Sequence, residues 1–356
     1  MKIIRRKTRT INIGGINIGG NNQIAIQSMT KTPTADIEAT VKQIRDLEKC
    51  GCQITRVAVK NIQDAKAIKT IKRHISIPLV ADIHFDYRLA LEAIESGADK
   101  IRLNPGNIYK KNEVRQVVSA LKQAKIPLRV GVNSGSLKDL NSKKLSLADK
   151  LVASVLNYVR IIEKLKFYDT VISLKASGIL ETIAANRKIA KACDYPLHLG
   201  VTATGLPERG VIKSSIAIGV LLSEGIGDTV RVSLTDKAEE EVKTAKAILE
   251  ALHLRRWGPE IIGCPTCGRC EVDLINIVQD LESKLSTIHH PLATKKPLKV
   301  AVMGCVVNGP GEAKDADMGI AFGKNDGLFF KKGKAIRKLS IDNCVNVLLK
   351  EMGRSR

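Results

Sequence analysis

A chain of 356 residues, 44% of them hydrophobic, is long enough for two domains with a core each, and no apolar run reaches the roughly 18 residues that span a membrane. The formal charge is +22, yet aromatics are only 3% and the lysines are spread along the whole chain. That pattern argues against base-stacking on nucleic acid and for a solvated basic surface with a local anion site.

The basic start, MKIIRRKTRT, precedes no apolar signal core, so secretion is not expected and the protein is taken as cytoplasmic. No acidic residue occurs before Asp36, as in a transit peptide, but INIGGINIGGNNQIAIQSM reads better as a glycine-turned hairpin leading into a strand. From about residue 23 to 255, short β-branched runs alternate with amphipathic helical segments. The expected strands are Gln23–Ser28, Ile54–Val59, Leu79–Ile83, Lys100–Leu103, Leu128–Val132, Val171–Leu174, Leu197–Val201 and Thr229–Ser233. Helical stretches such as IEATVKQIRDLEKCG and YRLALEAIESGA lie between them. In the first, Val41, Ile44 and Leu47 recur three apart on one face; Thr34 or Asp36 can cap its start and Gly51 can close its end. Eight βα units in series predict a (β/α)8 TIM-type barrel over residues 1–255. An open doubly wound sheet is the alternative, but it usually has fewer strands, and no GxGxxG follows the first strand here.

After Leu254 the rhythm stops, and HLRRWGPEIIGCPTCGRC reads as a linker into a second unit, residues 256–356. A helix carrying Leu274, Ile277, Val278, Leu281, Leu285 and Ile288 on one face comes next, and PLATKKP breaks the chain after it. LKVAVMG reads as a buried strand ending in a tight loop, CVVNGPGEA. A short strand, MGIAFG, and a helix from about Asp342 to Met352 complete a smaller α/β domain.

The eight cysteines are Cys50, Cys52, Cys193, Cys264, Cys267, Cys270, Cys305 and Cys344. An even count does not imply disulfides in a large chain without a signal peptide, and the C-terminal clustering suggests a metal. Cys264 and Cys267 form a C-x2-C pair, and Cys305 follows at a strand end. Zinc and iron–sulfur clusters both use such a pair. Zinc usually takes a second close pair, which Cys305 lacks, and His289 and His290 have no matching spacing. Adding Cys270 makes a half-ferredoxin run, but the next expected position is Leu274. Spacing favours iron–sulfur and leaves structural zinc or plain buried thiols as alternatives.

The C-terminal ends of barrel strands form the active-site rim. Here they carry Arg56, then Asp82 and His84, Arg102 and Asn104, Arg129 and Asn133, Lys175, His198 and Thr202, and Arg231 and Ser233. Five basic side chains converging on one mouth repel one another unless an anion with several charges neutralises them, and a diphosphate fits. Asp82 and His84, two apart, face one side of their strand and suit either proton transfer or the orienting of an arginine.

The motifs CPTCGR and GCVVNGPGEA, after ADIHFD and KIRLNPGN, together resemble the bacterial 4-hydroxy-3-methylbut-2-enyl diphosphate synthases over nearly the whole chain. The resemblance implies reductive ring opening and dehydroxylation of 2-C-methyl-D-erythritol 2,4-cyclodiphosphate for isoprenoid synthesis. It implies a substrate-binding barrel and a C-terminal [4Fe–4S] domain, with Cys264, Cys267, Cys305 and Glu312 as ligands. The iron held by Glu312 is the labile one, open to a substrate oxygen. Asn308 is expected to position cluster or substrate. The family position matching Cys270 is usually not cysteine; as a fourth thiolate it would close the labile site, and Glu312 is favoured over it. The implied partners are flavodoxin or ferredoxin as electron donor and a second copy of the chain in a homodimer, with the cluster domain of one chain covering the barrel mouth of the other. No nucleic acid and no membrane are expected. A zinc-knuckle protein that binds RNA is the rival of a different class. A radical enzyme using S-adenosylmethionine lacks its usual C-x3-C-x2-C pattern here.

Overall fold

The structure, a computed structural model, describes residues 3–137, 145–287, 298–306 and 313–354. Glu312, Asn308, His289, His290, Ile288 and the break after it lie outside the described residues. The chain divides into two compact units, Met1–Arg255 and Arg256–Arg356.

The first unit begins with a hairpin of β1 (Ile11–Ile13) and β2 (Ile16–Ile18). Gly14 and Gly15 turn it at φ +53° and +94°, a left-handed pair that favours glycine and fits the twist of a two-residue hairpin. Eight parallel strands follow: β3 (Ala25–Met29), β4 (Ile54–Val59), β5 (Leu79–Ile83), β6 (Lys100–Leu103), β7 (Leu128–Asn133), β8 (Thr170–Lys175), β9 (His198–Leu199) and β10 (Thr229–Val230). Each pairs with its sequence neighbour and β10 returns to β3. A parallel bridge between Ile172 and Leu197 joins β8 to β9 and closes the barrel, which leaves no sheet edge exposed.

The last two strands are shorter than the sequence suggests. Beyond Leu199 and Val230 the chain turns to loop bonds: Thr202 N–H donates to the Ala176 carbonyl at 3.2 Å, and the Thr204 hydroxyl to the Ser233 carbonyl. The helix after β3, α1 (Ile37–Lys49), is capped by Asp36, whose side chain accepts from Ala39 N–H. Thr34 instead donates its hydroxyl to the Ala58 carbonyl at 2.6 Å.

The hairpin seals the N-terminal end of the barrel. Ile11, Ile13 and Ile18 are buried against Ala25, Ile54, Val80 and Val171, which lie at the starts of four strands. The basic segment before the hairpin clamps the same end. Arg5 pairs with Asp228 at 2.7 Å, Arg9 with Asp194 at 2.9 Å, and Arg6 donates to the Ala190 carbonyl. The positive N-terminus is thus used up on groups that precede β9 and β10.

The second unit is a five-stranded sheet of β11 (Glu260–Gly263), β12 (Lys299–Met303), β13 (Met318–Phe322), β14 (Gly327–Lys331) and β15 (Lys334–Leu339), in that order. The first three are parallel and the last two antiparallel. The helix here called α2 (Leu274–Thr287) and a C-terminal helix, α3 (Cys344–Arg354), bury Leu274, Leu281, Val345 and Leu348 against Val300, Val302 and Ile320. Two elements escape the sequence reading. Strand β11 sits in what reads as a linker. The β14–β15 hairpin ends in KAIRKL, nearly all exposed, so an edge strand with no buried face leaves no period-2 apolar signal.

Replacing Ile13 with Ala should destabilise the barrel by about 2–5 kcal/mol, because a buried branched side chain leaves a cavity where four strands meet. Denaturant unfolding checks this; a change within about 0.5 kcal/mol, as at an ordinary surface site, would mean that the hairpin does not support the barrel.

Candidate active site

Side chains two apart on a strand share a face, and register partners in a parallel sheet point the same way. That rule brings the expected rim residues to one interior. Met29 pairs in register with Arg56, Ala58 with Asp82, Asp82 with Arg102, Arg102 with Arg129, and Asn133 with Lys175. His198 pairs with Thr229, two before Arg231. Arg56, Asp82, Arg102, Asn104, Arg129, Lys175 and His198 are buried, while His84, Asn133, Thr202, Arg231 and Ser233 are half-buried.

Asp82 is the hub. Its carboxylate accepts from Arg102 Nη1 at 3.0 Å and lies 3.7 Å from Arg56 Nε. Burial works against its ionisation, but Arg56, Arg102 and Arg129 outweigh burial and hold its carboxyl below the usual range. Arg102 also donates to the Gly131 carbonyl at 3.0 Å, and Arg56 points two nitrogens at the Met29 sulfur. Burial pushes the Arg56 guanidinium down to about 10. Arg129 is pushed down too, by burial and then by Arg56 and Arg102. A guanidinium stays charged in a protein, so these groups oppose one another inside the barrel. Arg129 Nε and Nη1 have no hydrogen-bond partner and are shielded from solvent.

His198 fixes Lys175. Its Nε2 lies 3.3 Å from the Lys175 amine and its Nδ1 2.8 Å from the Thr229 hydroxyl. Burial, then Lys175 and Arg129, keep the ring neutral, so Nδ1 donates to Thr229 and Nε2 accepts from Lys175. Gly200 leaves room for that amine: a side-chain carbon there would lie 2.6 Å from Lys175 Nζ and overlap the Arg231 carbonyl. His84 Nδ1 is shielded and has no partner among the described residues. Asn104 accepts from Gly106 N–H at 3.1 Å and holds the loop after β6.

Sequence reasoning missed Glu241. It lies on the helix Ala238–Ala251, fully buried, 3.5 Å from Arg231 and 3.2 Å from Lys31, and accepts from Leu234 N–H at 3.0 Å. Within AEEEV it looks like one of three solvated glutamates. The signal is its phase: it falls three after buried Ala238 and four before buried Ala245, on the apolar stripe. Lys100 was also missed and is taken up below.

In the second unit, Cys264 follows β11 and Cys305 follows β12 by two residues, and these strands are parallel neighbours. Gly304 N–H donates to the Cys264 sulfur at 3.2 Å, and a side chain at Gly304 would overlap the Cys270 sulfur. Cys270 turns its thiol to the Val272 carbonyl at 3.3 Å and packs on the core. Cys267 is exposed, and Cys270 N–H bonds its carbonyl at 2.8 Å. Among the described residues no three His, Cys, Asp or Glu side chains gather closely enough to hold a metal by themselves.

The GcpE TIM-barrel domain matches residues 8–246 and the GcpE protein C-terminal domain matches residues 260–354. The chain belongs to the GcpE family. GcpE relatives are similar over their whole length. One from Lawsonia intracellularis is 53% identical, covering 99% of this chain and 97% of its own, and one from Caldanaerobacter subterraneus subsp. tengcongensis is 54% identical, covering 98% and 97%. Both are named 4-hydroxy-3-methylbut-2-en-1-yl diphosphate synthase (flavodoxin). Among solved structures, the dihydropteroate synthase of Yersinia pestis (10% identity, TM-score 0.51) covers 68% of this chain and 98% of its own. That of Xanthomonas albilineans (12% identity, TM-score 0.52) covers 70% and 98%. At such identity the likeness is one of fold, and it bears on the GcpE barrel alone.

Asp82→Asn should destabilise the ligand-free protein by about 3–5 kcal/mol at neutral pH, since two buried guanidinium groups lose their counter-ion. The depressed carboxyl contributes stability that is fully present above the unfolded value, near 4, and lost as pH falls below it. Thermal melts of the two proteins should therefore converge as pH drops below about 4; a gap that stayed constant from pH 7 to 3 would contradict the hub role.

Proposed function

We propose that the barrel binds 2-C-methyl-D-erythritol 2,4-cyclodiphosphate and that the protein reduces it to 4-hydroxy-3-methylbut-2-enyl diphosphate. Two electrons come from flavodoxin or ferredoxin through a [4Fe–4S] cluster on the second unit, and the working assembly is a homodimer. The observation that carries this reading is the interior itself: four guanidinium groups and two amines face two carboxylates in a barrel closed at one end. A small, multiply charged anion entering by the other end removes the repulsion.

Arg56, Arg102, Arg129 and Lys175 bind the diphosphate oxygens. Asp82 aims Arg56 and Arg102, and neutral His198 aims the Lys175 amine. Asn104, Asn133, Thr202, Arg231 and Ser233 bind the remaining oxygens. His84, with Nδ1 unpartnered, is the group suited to carry a proton.

The donor set fits a cluster. Cys264 and Cys305 end neighbouring parallel strands, Cys267 is three residues on from Cys264, and a backbone N–H already points at the Cys264 sulfur. Glu312 supplies the fourth, oxygen ligand, and Asn308, between Cys305 and Glu312 in sequence, positions cluster or substrate. Cys270, bonded to Val272 and packed on the core, is a bystander. When bound, the cluster supplies electrons and an iron open to a substrate oxygen. The excess of Lys and Arg over Asp and Glu attracts an acidic electron carrier.

Anaerobic reconstitution tests the cluster. About four irons per chain with acid-labile sulfide are expected, as the [4Fe–4S] composition requires; one zinc without sulfide would reject the proposal. Cys264→Ser and Cys305→Ser should lose the iron, while Cys270→Ser should keep it. Loss of iron in Cys270→Ser, or full turnover in Glu312→Ala, would transfer the fourth-ligand role to Cys270. Separately, Arg56→Ala, Arg129→Ala and Lys175→Ala should each raise KM with the cluster spectrum unchanged. Each charge-assisted contact is worth about 1.5–3 kcal/mol. Unaltered kinetics in all three would reject the anion site.

A further inference from the structure

Lys100 opens β6 and shares the inward face with Arg102. It is fully buried, and its amine has no hydrogen-bond partner. Its register partner, Val80, packs on the hairpin isoleucines that seal the barrel, so below it the interior is apolar. Above it the neighbouring strands present mostly cations: Arg56 from β4, Arg129 from β7 and Lys175 from β8. Strand β9 presents His198 and β10 presents Arg231 beside Thr229. Strand β3 offers only Gln27, itself uncharged and without a partner. Asp82 on β5 already faces Arg102 and Arg56 with its two oxygens, and Glu241 lies beside Arg231 and Lys31. Among the described residues no carboxylate is left for Lys100. Burial, then Arg129 and Arg56, push its amine well below the usual lysine range, so its charge is opposed until an anion enters above it.

The proposed reaction changes the charge of the bound anion. A cyclic diphosphate carries about one negative charge per phosphorus. A linear alkyl diphosphate carries about one more at pH 8, because a terminal phosphate ionises a second time near pH 6. Two electrons and one proton enter; the ring carbon–oxygen bond breaks with the oxygen kept on phosphorus, the hydroxyl leaves as water, and the anion gains that charge. A dry, cationic site has to absorb the change.

We propose that Lys100 is the charge-compensating group of ring opening: uncharged beneath the cyclic diphosphate, it takes one further proton from solvent once the anion is linear, and so favours the opened state. This rests on the reaction proposed above. Lys175 faces the same charges and is pushed down likewise, but its amine already donates to His198 at 3.3 Å, whereas the Lys100 amine has no partner among the described residues. It touches no reacting atom and acts through the field inside the barrel.

Isothermal titration calorimetry of the oxidised holoenzyme at pH 8, without reductant and in buffers of different ionisation enthalpy, counts the protons taken up on binding. The linear product, 4-hydroxy-3-methylbut-2-enyl diphosphate, should take up about one proton more than the cyclodiphosphate. In Lys100→Met, which keeps the length of the buried stem, that difference should vanish. Affinity for the linear diphosphate should then fall about tenfold or more, with a smaller change for the cyclic one. Equal proton counts for the two ligands in the native protein overturn the proposal, as does a difference that persists in Lys100→Met. Equal native counts overturn it even if the variant does not fold. Failure of the cyclodiphosphate to bind at all would remove the proposed reaction and this role with it, whereas binding with equal counts removes only the role of Lys100.

Discussion

Inside one barrel, Arg56, Arg102, Arg129 and Arg231 share space with the amines of Lys100 and Lys175, and among the described residues only Asp82 and Glu241 answer them. Burying like charges is among the most costly arrangements a protein interior can hold, because low polarisability strengthens repulsion and removes hydration together. Much of the rest of the first unit follows from containing that charge. Asp82 sits where it reaches two guanidinium groups at once. Glu241 comes in from an outer helix to reach Arg231. His198 is kept neutral so that it accepts from Lys175, and Gly200 leaves space where any side chain would displace that amine.

The same constraint explains why one end of the barrel is closed with isoleucine. An open floor would let water hydrate the cations from below and weaken the attraction for an anion above. The β1–β2 hairpin closes the floor with Ile11, Ile13 and Ile18, and Arg5 and Arg9 of the basic segment before it pair outside the floor with Asp228 and Asp194. A positively charged N-terminus and a positively charged interior are thus kept apart by an apolar plug.

The second unit sets distant cysteines on adjacent strands. Parallel pairing of β11 with β12 places Cys264 directly after one strand and Cys305 two residues after its neighbour. Gly304 keeps the gap narrow enough for its N–H to reach the Cys264 sulfur while the Cys270 sulfur lies against it. The closeness of Cys270 is therefore a matter of packing, and its bond to the Val272 carbonyl directs the thiol to the backbone.

By itself the sequence determined the eight alternating strands and helices, the glycine-turned hairpin, the cation-bearing strand ends and the cysteine spacing. All of these are local periodicities or runs of residues, set by the pleat, the helical turn and the tight turn. The tertiary structure alone decided which ionisable groups compensate which. That Asp82 orients arginines, that Glu241 is buried, that His198 is neutral and that Lys100 lacks a counter-ion among the described residues depend on contacts between residues as much as 213 positions apart, as between Ser28 and Glu241. The short strand β11 and the edge strand β15 were hidden for a related reason. A strand recruited by its neighbours, or exposed at an edge, carries no hydrophobic period of its own, because its partners and not its side chains hold it in place.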